Sequence, residues 1–472
     1  MNNYKATIGI EVHVELKTNT KVFSPSLNNY DAYANSNVNE IDLGYPGTLP
    51  SLNIEVVKKA LRAALALNCE INKKMHFDRK NYFYPDLPKG YQITQARTPI
   101  GHDGYINLYK DKFIGIERIH IEEDTAKSLH SNKKTLLNYN RAGVPLIEIV
   151  SKPEMHTPEE AMKYLERLRE LLFYLDISDC KIEEGSMRAD VNVSVSNTDI
   201  LGTKCEVKNI GSISNVGIAI ESEIARQTKL LEEQKEIEEE TRKFDSKNNS
   251  TLPMRKKEVG NEYRYLPEPD IPYLYLDDEM IKTEKEKIKL LPDERRSIYL
   301  NRGILEINIE KIINNKEISD YLNNFIETNI DFKIASNILL GDISAYLNKE
   351  KKSIFETKMT KEKFIELVDM LKNNEINSKI FKEILNDLLE QDLSVKETLK
   401  KNNISVMNNN EQEITEIVKS VLEEQQSSVN DYKNGKENAL KFLMGMCMKK
   451  TKGSANPKKI NEILLDLLSK NM

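Results

Sequence analysis

Acidic residues and a histidine stand on one side of a short segment near the N-terminus, where they could bind a metal ion. In the segment IGIEVHVEL, residues 8–16, the even-numbered positions are apolar. A β-strand with this pattern buries one face and presents Glu11, His13 and Glu15 together on the other. A lone histidine in a sheet is more often only a hydrogen-bonded residue, so the functional interpretation rests on its two acidic neighbours.

Two later segments repeat this one-sided pattern. Arg188 and Asp190 alternate with apolar residues in the first, and Glu206 and Lys208 do so in the second. The exposed faces of ordinary antiparallel sheets have the same alternation. Each of these segments, taken alone, therefore fits a solvated strand as well as a functional one.

Glu148 differs because it lies in an apolar run, residues 145–150, that predicts a strand buried on both faces. An unpaired buried carboxylate is costly, so a metal ion or another cation should accompany it. Glu122, Glu123 and Asp124 add three consecutive acids at the end of another predicted strand. Oxygen ligands with at most one imidazole suit Mg²⁺ or Mn²⁺ better than zinc.

The chain has neither of the common glycine-rich phosphate-binding loops. The patterns G-x-x-x-x-G-K-[ST] and G-x-G-x-x-G are absent, and so is the G-x-S-x-G turn of a serine nucleophile. Phosphoryl transfer would then depend on metal ions and on arginines that neutralise phosphate oxygens. The candidates are Arg188, Arg255 and Arg264. A loop rich in arginine and proline that only packs explains the last two equally well.

The composition predicts a soluble globular protein. Of 472 residues, 39% are hydrophobic and 31% are charged, with a net charge of -6. A negative total argues against coating of nucleic acid by the whole surface, although a local basic patch can still dock one. The four cysteines form no C-x-x-C pair, which favours reduced thiols. Without a leader or an apolar run long enough for a bilayer, we expect a cytoplasmic protein with no membrane contact.

A strand-rich first part and a helical remainder predict an α+β protein. Alternating apolar and polar residues with frequent proline fill the first part. In the remainder apolar residues recur at helical spacing, as in Phe364, Leu367, Val368 and Leu371. We expect an antiparallel-sheet catalytic domain over residues 1–295, a helical domain over 296–402 and a small helical tail domain over 403–472.

Eight segments carry a resemblance to a known family. They are IGIEVHVELKT, FDRKNYFYPDLPKGYQI, ERIHIEEDTAKS, NRAGVPLIEIVSKPE, EEGSMRADVNVSV, GTKCEVKN, YRYLPEPDIP and DYKNGKENALKFLMGMCMKKTKGSANP. Together they resemble, over essentially the whole chain, the B-subunit family (GatB/GatE) of the bacterial aspartyl/glutamyl-tRNA amidotransferases. The resemblance implies a first domain like glutamine synthetase in fold, in which an antiparallel sheet forms a cradle, followed by a helical domain and a helical tail.

The resemblance also implies a ligase reaction in protein biosynthesis. ATP would phosphorylate the side-chain carboxyl of glutamate or aspartate mischarged on tRNA(Gln) or tRNA(Asn), and ammonia would then displace the phosphate. A separate A subunit would make the ammonia from glutamine, and a C subunit would complete a heterotrimer. A free-standing ATP-dependent carboxylate-amine ligase acting on a small metabolite remains the alternative.

The functional residues of the family carry over position by position. The implied ligands of Mg²⁺ or Mn²⁺ are Glu11, His13, Glu123, Glu148, Asp190 and Glu206. The implied catalytic residues are Glu123, Glu148 and Lys208, and those of an ammonia channel are Lys80 and Lys89. Strict alternation puts Glu122 rather than Glu123 on the face of His120, so a bulge or strand end would have to intervene.

Two more sets of positions follow from the resemblance. Some members bind zinc through cysteine pairs, whereas the matching positions here are Ser24, Ser26, Asn39 and Asp42, so no structural zinc is expected. The implied tRNA contacts are Lys441, Lys449, Lys450, Lys452, Lys458 and Lys459. Taken alone, such lysines are usually only solvated; as phosphate contacts they would add affinity without reading sequence.

Overall fold

The chain folds into two compact units, Met1–Leu291 and Pro292–Met472. The computed structural model describes residues 4–109, 111–131, 134–256, 263–404, 411–436, 438–451 and 455–470. The predicted α+β class is confirmed, because a large and mostly antiparallel sheet lies in the first unit and helices form the second. The expected likeness to glutamine synthetase and the three domain boundaries stay predictions.

The strands belong to the first unit. They are β1 (Lys5–Glu15), β2 (Glu70–Ile71), β3 (Lys74–Met75), β4 (Asp78–Asn81), β5 (Tyr91–Thr94), β6 (Gly101–Tyr109), β7 (Lys112–Glu123), β8 (Lys127–Ser131), β9 (Lys134–Asn138), β10 (Pro145–Ser151), β11 (Met187–Ser196), β12 (Cys205–Lys208), β13 (Glu240–Asp245), β14 (Ser250–Lys256), β15 (Leu266–Pro267) and β16 (Leu274–Tyr275). The main sheet has nine strands in the order β14-β13-β12-β11-β1-β10-β7-β6-β2. The β12–β13 pair is parallel and the other neighbours are antiparallel. Smaller sheets join β15-β4-β5, β16-β3 and β8-β9.

Helices cover one face of the main sheet. They are α1 (Ile54–Ala66), α2 (Pro158–Tyr174) and α3 (Ile213–Glu232), and α4 (Asp278–Glu286) packs on α1. The even-numbered residues of β1 from Ile8 to Val14 are buried in the core that these helices share with the sheet, as the alternation predicts. The polar residues of β1 therefore lie on the opposite face, which is the one that carries the candidate site.

A β-bulge interrupts β7 next to this site. Arg118 pairs with Val150 of β10, but the next pair joins Ile116 to Ser151, so Glu117 is an extra residue on β7. Ile116 and Ile119 are both fully buried in the core. In a regular strand one residue separates two neighbours on the same face, but here two residues, Glu117 and Arg118, separate Ile116 from Ile119. Glu117 and Arg118 therefore both project away from the core.

The second unit is helical. Its helices are α5 (Pro292–Asn301), α6 (Glu306–Ile313), α7 (Lys316–Asn323), α8 (Phe332–Ile338), α9 (Ser344–Glu350), α10 (Lys361–Lys372), α11 (Ser378–Glu390), α12 (Val395–Lys401), α13 (Glu411–Glu424), α14 (Gln426–Lys433), α15 (Asn438–Lys450) and α16 (Pro457–Lys470). Short turns of 3₁₀-helix span Tyr139–Arg141 in the first unit and Ile354–Glu356 here, and a π-helical turn spans Leu339–Ile343. Separate apolar clusters run from Tyr299 to Leu399 and from Ile414 to Leu468. Within the described ranges, every helix is too short or too polar to traverse a bilayer.

Candidate active site

His13, Glu122 and Glu148 form a group that could hold a metal ion. Their candidate ligand atoms all lie within 4.8 Å of one another. His13 pairs with Glu148 across β1 and β10, and Leu146, two residues from Glu148, pairs with Glu122 of β7. Since directly opposite residues project to the same face, three neighbouring strands bring these side chains together. His13 Nε2 lies 3.3 Å from Glu148 Oε2.

His120 is a fourth member of this cluster and was not predicted as a site residue. Its Nε2 lies 3.5 Å from Oε2 of Glu148 and 3.6 Å from Oε2 of Glu122. Its Nδ1 is buried and has no hydrogen-bond partner among the described residues. The sequence did contain a signal, because His120 and Glu122 are two residues apart on one strand and so share a face.

The electrostatics of the cluster keep both of its carboxylates ionised. Burial alone would raise the pKa of Glu148, but His120 and His13 hold it well below its usual range. Burial likewise opposes ionisation of Glu122, whereas Lys80 and His120 lower its pKa to about 2. Burial lowers the pKa of His120, yet the nearby Glu148 carboxylate outweighs it and raises the pKa to about 9. The two carboxylates therefore stay anionic. Burial also opposes a charge on His13, but hydrogen bonding and charge from Glu148 outweigh it and raise the pKa of His13 as well.

The structure does not bring the predicted ligand Glu123 to this cluster. The β7–β10 register continues without a break through Glu122 and Glu123, so the two side chains point to opposite sides. Glu123 instead lies 2.6 Å from Nζ of Lys89 and accepts a 2.8 Å hydrogen bond from the backbone N–H of Ile93. The prediction required a bulge or strand end that would turn Glu123 towards His120. The bulge in β7 lies at Glu117 instead, too far from Glu123 to change its direction. Glu122 is the acid of this pair that lies beside His13 and Glu148.

The other predicted ligands lie on the same face but form a second group. Glu11 pairs with Asp190 across β1 and β11, and Asn192 pairs with Glu206 across β11 and β12. Lys208 Nζ lies 2.7 Å from Asp190 and 3.1 Å from Glu206. Burial, and then the Glu148 carboxylate, raise the pKa of Glu11. Glu11, Asp190 and Glu206 are thus acids within electrostatic reach of the first group, with Lys208 as their internal cation.

The three predicted phosphate-binding arginines have different positions. Arg188 Nη2 donates to Asp124 Oδ2 at 2.8 Å, and its side chain is 45% exposed. Arg264 is exposed with a left-handed backbone, φ +38°, and its carbonyl oxygen accepts a 2.7 Å hydrogen bond from the side chain of Asn81. Arg255 pairs with Thr241 at the Glu206 end of the sheet, but its side chain lies outside the described part of the chain.

A cavity of about 580 Å³ opens beside the cluster. Its charged lining includes His13, Lys80, Glu122, Asp124, Arg188, Asp190 and Lys208. Lys80 Nζ lies 3.6 Å from Glu122 and 5.1 Å from the ring centre of Tyr263. Burial opposes a charge on Lys80, but Glu122 and Glu148 outweigh it and raise its pKa. Acidic and basic side chains thus line one space, as binding of a phosphate and a metal ion together would require.

The positions at which the resemblance raised the question of zinc contribute to a buried, paired carboxylate. Asp42 accepts hydrogen bonds of 2.6 Å from Ser24 Oγ and from Ser26 Oγ, and its Oδ2 lies 3.2 Å from Nζ of the fully buried Lys21. The backbone N–H of Asn39 donates to the same carboxylate at 3.0 Å. Serine hydroxyls already bonded to a paired carboxylate are poor zinc ligands.

Replacing Asp42 by asparagine should lower the free energy of unfolding of the first unit by about 3–5 kcal/mol, because the buried Lys21 would lose its counter-ion. Urea unfolding followed by circular dichroism measures the change. The matched control is Asp278→Asn, which breaks an ion pair with Lys73 whose carboxylate side is 85% exposed, and there we expect less than about 1 kcal/mol. Equal losses in the two variants would contradict the prediction.

The predicted tRNA-binding lysines that the structure describes lie on α15 and α16. Lys441, Lys449 and Lys458 are exposed. Lys450 Nζ lies 2.6 Å from Glu424 and donates to Ser420 at 2.6 Å, so part of its charge is used within the protein. Lys459 is half-buried on α16, and Lys452 lies outside the described residues.

The sheet and its charged face define the chain as an α+β protein with an acidic, histidine-containing site on the open face of a large sheet. Comparison with known proteins then gives the family. Residues 6–282 match the model of the GatB/GatE catalytic domain, and residues 320–468 match that of the GatB domain. The chain belongs to the GatB/GatE family.

Named relatives are similar over their full length. The B subunit of the aspartyl/glutamyl-tRNA(Asn/Gln) amidotransferase of Lysinibacillus sphaericus (strain C3-41) is 45% identical over 99% of this chain and 100% of that protein. The proteins of the same name from Bacillus cereus (strain AH187) and Bacillus mycoides (strain KBAB4) are each 44% identical with the same coverage.

Proposed function

We propose that this protein is the B subunit of a glutamine-dependent amidotransferase acting on mischarged tRNA. It would use ATP to phosphorylate the side-chain carboxyl of glutamate on tRNA(Gln) or aspartate on tRNA(Asn), and would then amidate it. The observation that carries the proposal is the His13–Glu122–Glu148 group beside a cavity of about 580 Å³ whose wall also holds Lys80, Arg188 and Lys208, in a chain whose full-length relatives carry that name.

The proposed ligands fit a hard divalent cation. His13, Glu122 and Glu148 offer two ionised carboxylates and one imidazole within 4.8 Å of one another, a donor set that suits Mg²⁺ or Mn²⁺. When bound, such an ion would neutralise phosphate oxygens. The second acidic group would add Glu11, Asp190 and Glu206 as further or alternative ligands.

The reaction would have two steps. A carboxylate oxygen of the aminoacyl side chain attacks the γ-phosphorus of ATP, the bond from that phosphorus to the bridging oxygen breaks, and ADP leaves. Ammonia then attacks the acyl carbon, the bond from carbon to the phosphate oxygen breaks, and phosphate leaves as nitrogen loses a proton. Arg188 and Lys208, both in the cavity wall, would neutralise the phosphate and the carboxylate before they react.

Ammonia would reach the site past Lys89 and Lys80. Glu123 is buried against Lys89, and Gln92, which donates to the Glu123 carbonyl oxygen at 2.8 Å, lies opposite Lys80 across β4 and β5. Burial raises the pKa of Glu123, which makes it a better acceptor for a proton of ammonium than an ordinary carboxylate. This role of Glu123 needs no contact with a metal ion.

The partners follow from the same proposal. A separate A subunit would hydrolyse glutamine to supply ammonia, and a C subunit would complete a cytoplasmic heterotrimer. The test is to co-purify the three subunits and measure glutamine- and ATP-dependent amidation of glutamyl-tRNA(Gln) and aspartyl-tRNA(Asn). Amidation of free glutamate, with neither tRNA used, would instead support a ligase for a small metabolite and would refute the proposal.

Tail lysines would bind tRNA through its phosphates. Replacing Lys441 and Lys449 together by alanine should raise the KM for mischarged tRNA and lower the dependence of affinity on salt, by about one unit of the log–log slope for each phosphate that is no longer bound. Filter binding at several salt concentrations measures the slope. The charge-matched control is Lys349→Ala/Lys396→Ala, which removes two lysines of α9 and α12 that are 80% and 73% exposed, and a slope equally lowered there would contradict a specific role for the tail.

A further inference from the structure

Arg118 of β7 is a cation beside the candidate metal ligands that neither step of the proposed reaction uses. Its Nη2 lies 3.9 Å from Oε1 of Glu148. The other oxygen of that carboxylate, Oε2, lies 3.3 Å from His13 and 3.5 Å from His120. The guanidinium of Arg118 thus lies on the Oε1 side of the Glu148 carboxylate, at a distance too long for a hydrogen bond.

The regular β7–β10 register places Arg118 on the same face as His120 and Glu122, because these three residues alternate along β7 without a break. The bulge begins at the next residue, Glu117, and allows the buried Ile116 and Ile119 both to face the core. Bulges commonly re-aim a side chain next to an active site. Here the bulge gives the charged face two adjacent outward side chains in place of one.

The contact of Arg118 with Glu117 does not by itself explain this arrangement. Arg118 Nη1 lies 2.5 Å from Glu117 Oε1, but the two side chains are 36% and 51% exposed. Exposed ion pairs contribute little to stability. A guanidinium held this loosely can exchange a carboxylate for another anion, and its planar fork matches two oxygens of a phosphate.

We infer that Arg118 binds an oxygen of the phosphoryl group that is transferred at this site. The inference rests on the proposed function and assigns to β7 a phosphate-binding residue. Arg188 and Lys208 extend from β11 and β12, on the other side of β1, so Arg118 would place positive charge on the opposite flank of the same phosphate. Cations on two sides would neutralise the negative charge that spreads over the equatorial oxygens during transfer.

The test compares Arg118→Ala, Arg118→Lys and Glu117→Gln in the complete heterotrimer, with ADP formation in the presence of mischarged tRNA as the readout. We expect about a 100-fold lower kcat/KM for ATP in Arg118→Ala, a smaller loss in Arg118→Lys, and a change below about threefold in Glu117→Gln. Added guanidinium chloride at millimolar concentration should restore part of the activity of Arg118→Ala and none in Arg118→Lys. Thermal unfolding should remain close to that of the unmodified complex.

Rescue is the decisive readout, because a residue that only supports the fold would not be replaced by free guanidinium. The inference is overturned if Arg118→Ala keeps more than a third of the activity, if Glu117→Gln loses as much as Arg118→Ala, or if guanidinium rescues neither. If the unmodified complex forms no ADP with mischarged tRNA, the proposed function fails and this inference fails with it. The two failures are therefore distinguished by the unmodified protein.

Discussion

Glu148→Gln in the complete heterotrimer should lower tRNA-dependent ADP formation by at least about 100-fold. Glutamine keeps the size of the side chain and removes the negative charge, which His13 and His120 stabilise at 3.3 and 3.5 Å. The variant would therefore lose a metal ligand without leaving a cavity. ADP formation with saturating ATP, and Mn²⁺ affinity by titration calorimetry, measure the two consequences.

The control for Glu148→Gln is Glu70→Gln, which changes an exposed acid on the edge strand β2 and should leave both readouts unchanged. Hydrolysis of glutamine by the A subunit should continue in Glu148→Gln, because that step does not use this site. Full amidation by Glu148→Gln, with normal Mn²⁺ affinity, would refute the assignment of Glu148.

The parts of the site that the sequence predicts depend on short-range patterns. Alternation alone puts Glu11 and His13 on one face of β1, and an apolar run alone indicates that Glu148 is buried, so both features are read from neighbouring residues. Both are confirmed by the strand bounds and burial. In this structure the imidazoles of His13 and His120 lie 3.3 and 3.5 Å from Oε2 of Glu148.

What the sequence could not predict depends on pairing between distant strands. The choice between Glu122 and Glu123 needs the register of β7 with β10, and Glu123 also needs β5, which supplies the Ile93 N–H. Arg118 alternates regularly with His120 and Glu122, but only the pairing of β7 with β10 brings it beside Glu148. The register of β1, β10 and β7 likewise decides that His13, Glu122 and Glu148 form one group and that the other predicted ligands do not join it.

Glu122 and Glu123, adjacent in sequence, should give opposite phenotypes when each is changed to glutamine. Glu122→Gln should weaken Mn²⁺ binding by at least about tenfold, because Glu122 lies within 4.8 Å of the ligand atoms of His13 and Glu148. Glu123→Gln should leave Mn²⁺ affinity unchanged, since its carboxylate is bonded to Lys89 and Ile93. Titration calorimetry with Mn²⁺ on both variants measures the difference.

The second readout concerns the source of ammonia. Glu123→Gln should lower amidation driven by glutamine while amidation driven by added ammonium chloride falls less, because the added ammonia does not depend on the internal route. Glu122→Gln should lower both equally, since it acts on phosphorylation. Measuring amidated tRNA with each ammonia source in each variant gives a two-by-two comparison in which the metal role and the delivery role are separated.

A loss of folding must be kept apart from these effects, because Glu123→Gln leaves Lys89, whose side chain is only 10% exposed, without its charged partner. The double variant Glu123→Gln/Lys89→Met removes both charges and should recover stability without recovering glutamine-driven amidation. If the double variant recovers both, the Lys89–Glu123 pair only supports the fold. If instead Glu123→Gln weakens Mn²⁺ binding as much as Glu122→Gln does, the carboxylate that the strand register turns away is a ligand after all, and the geometry proposed for the site is wrong.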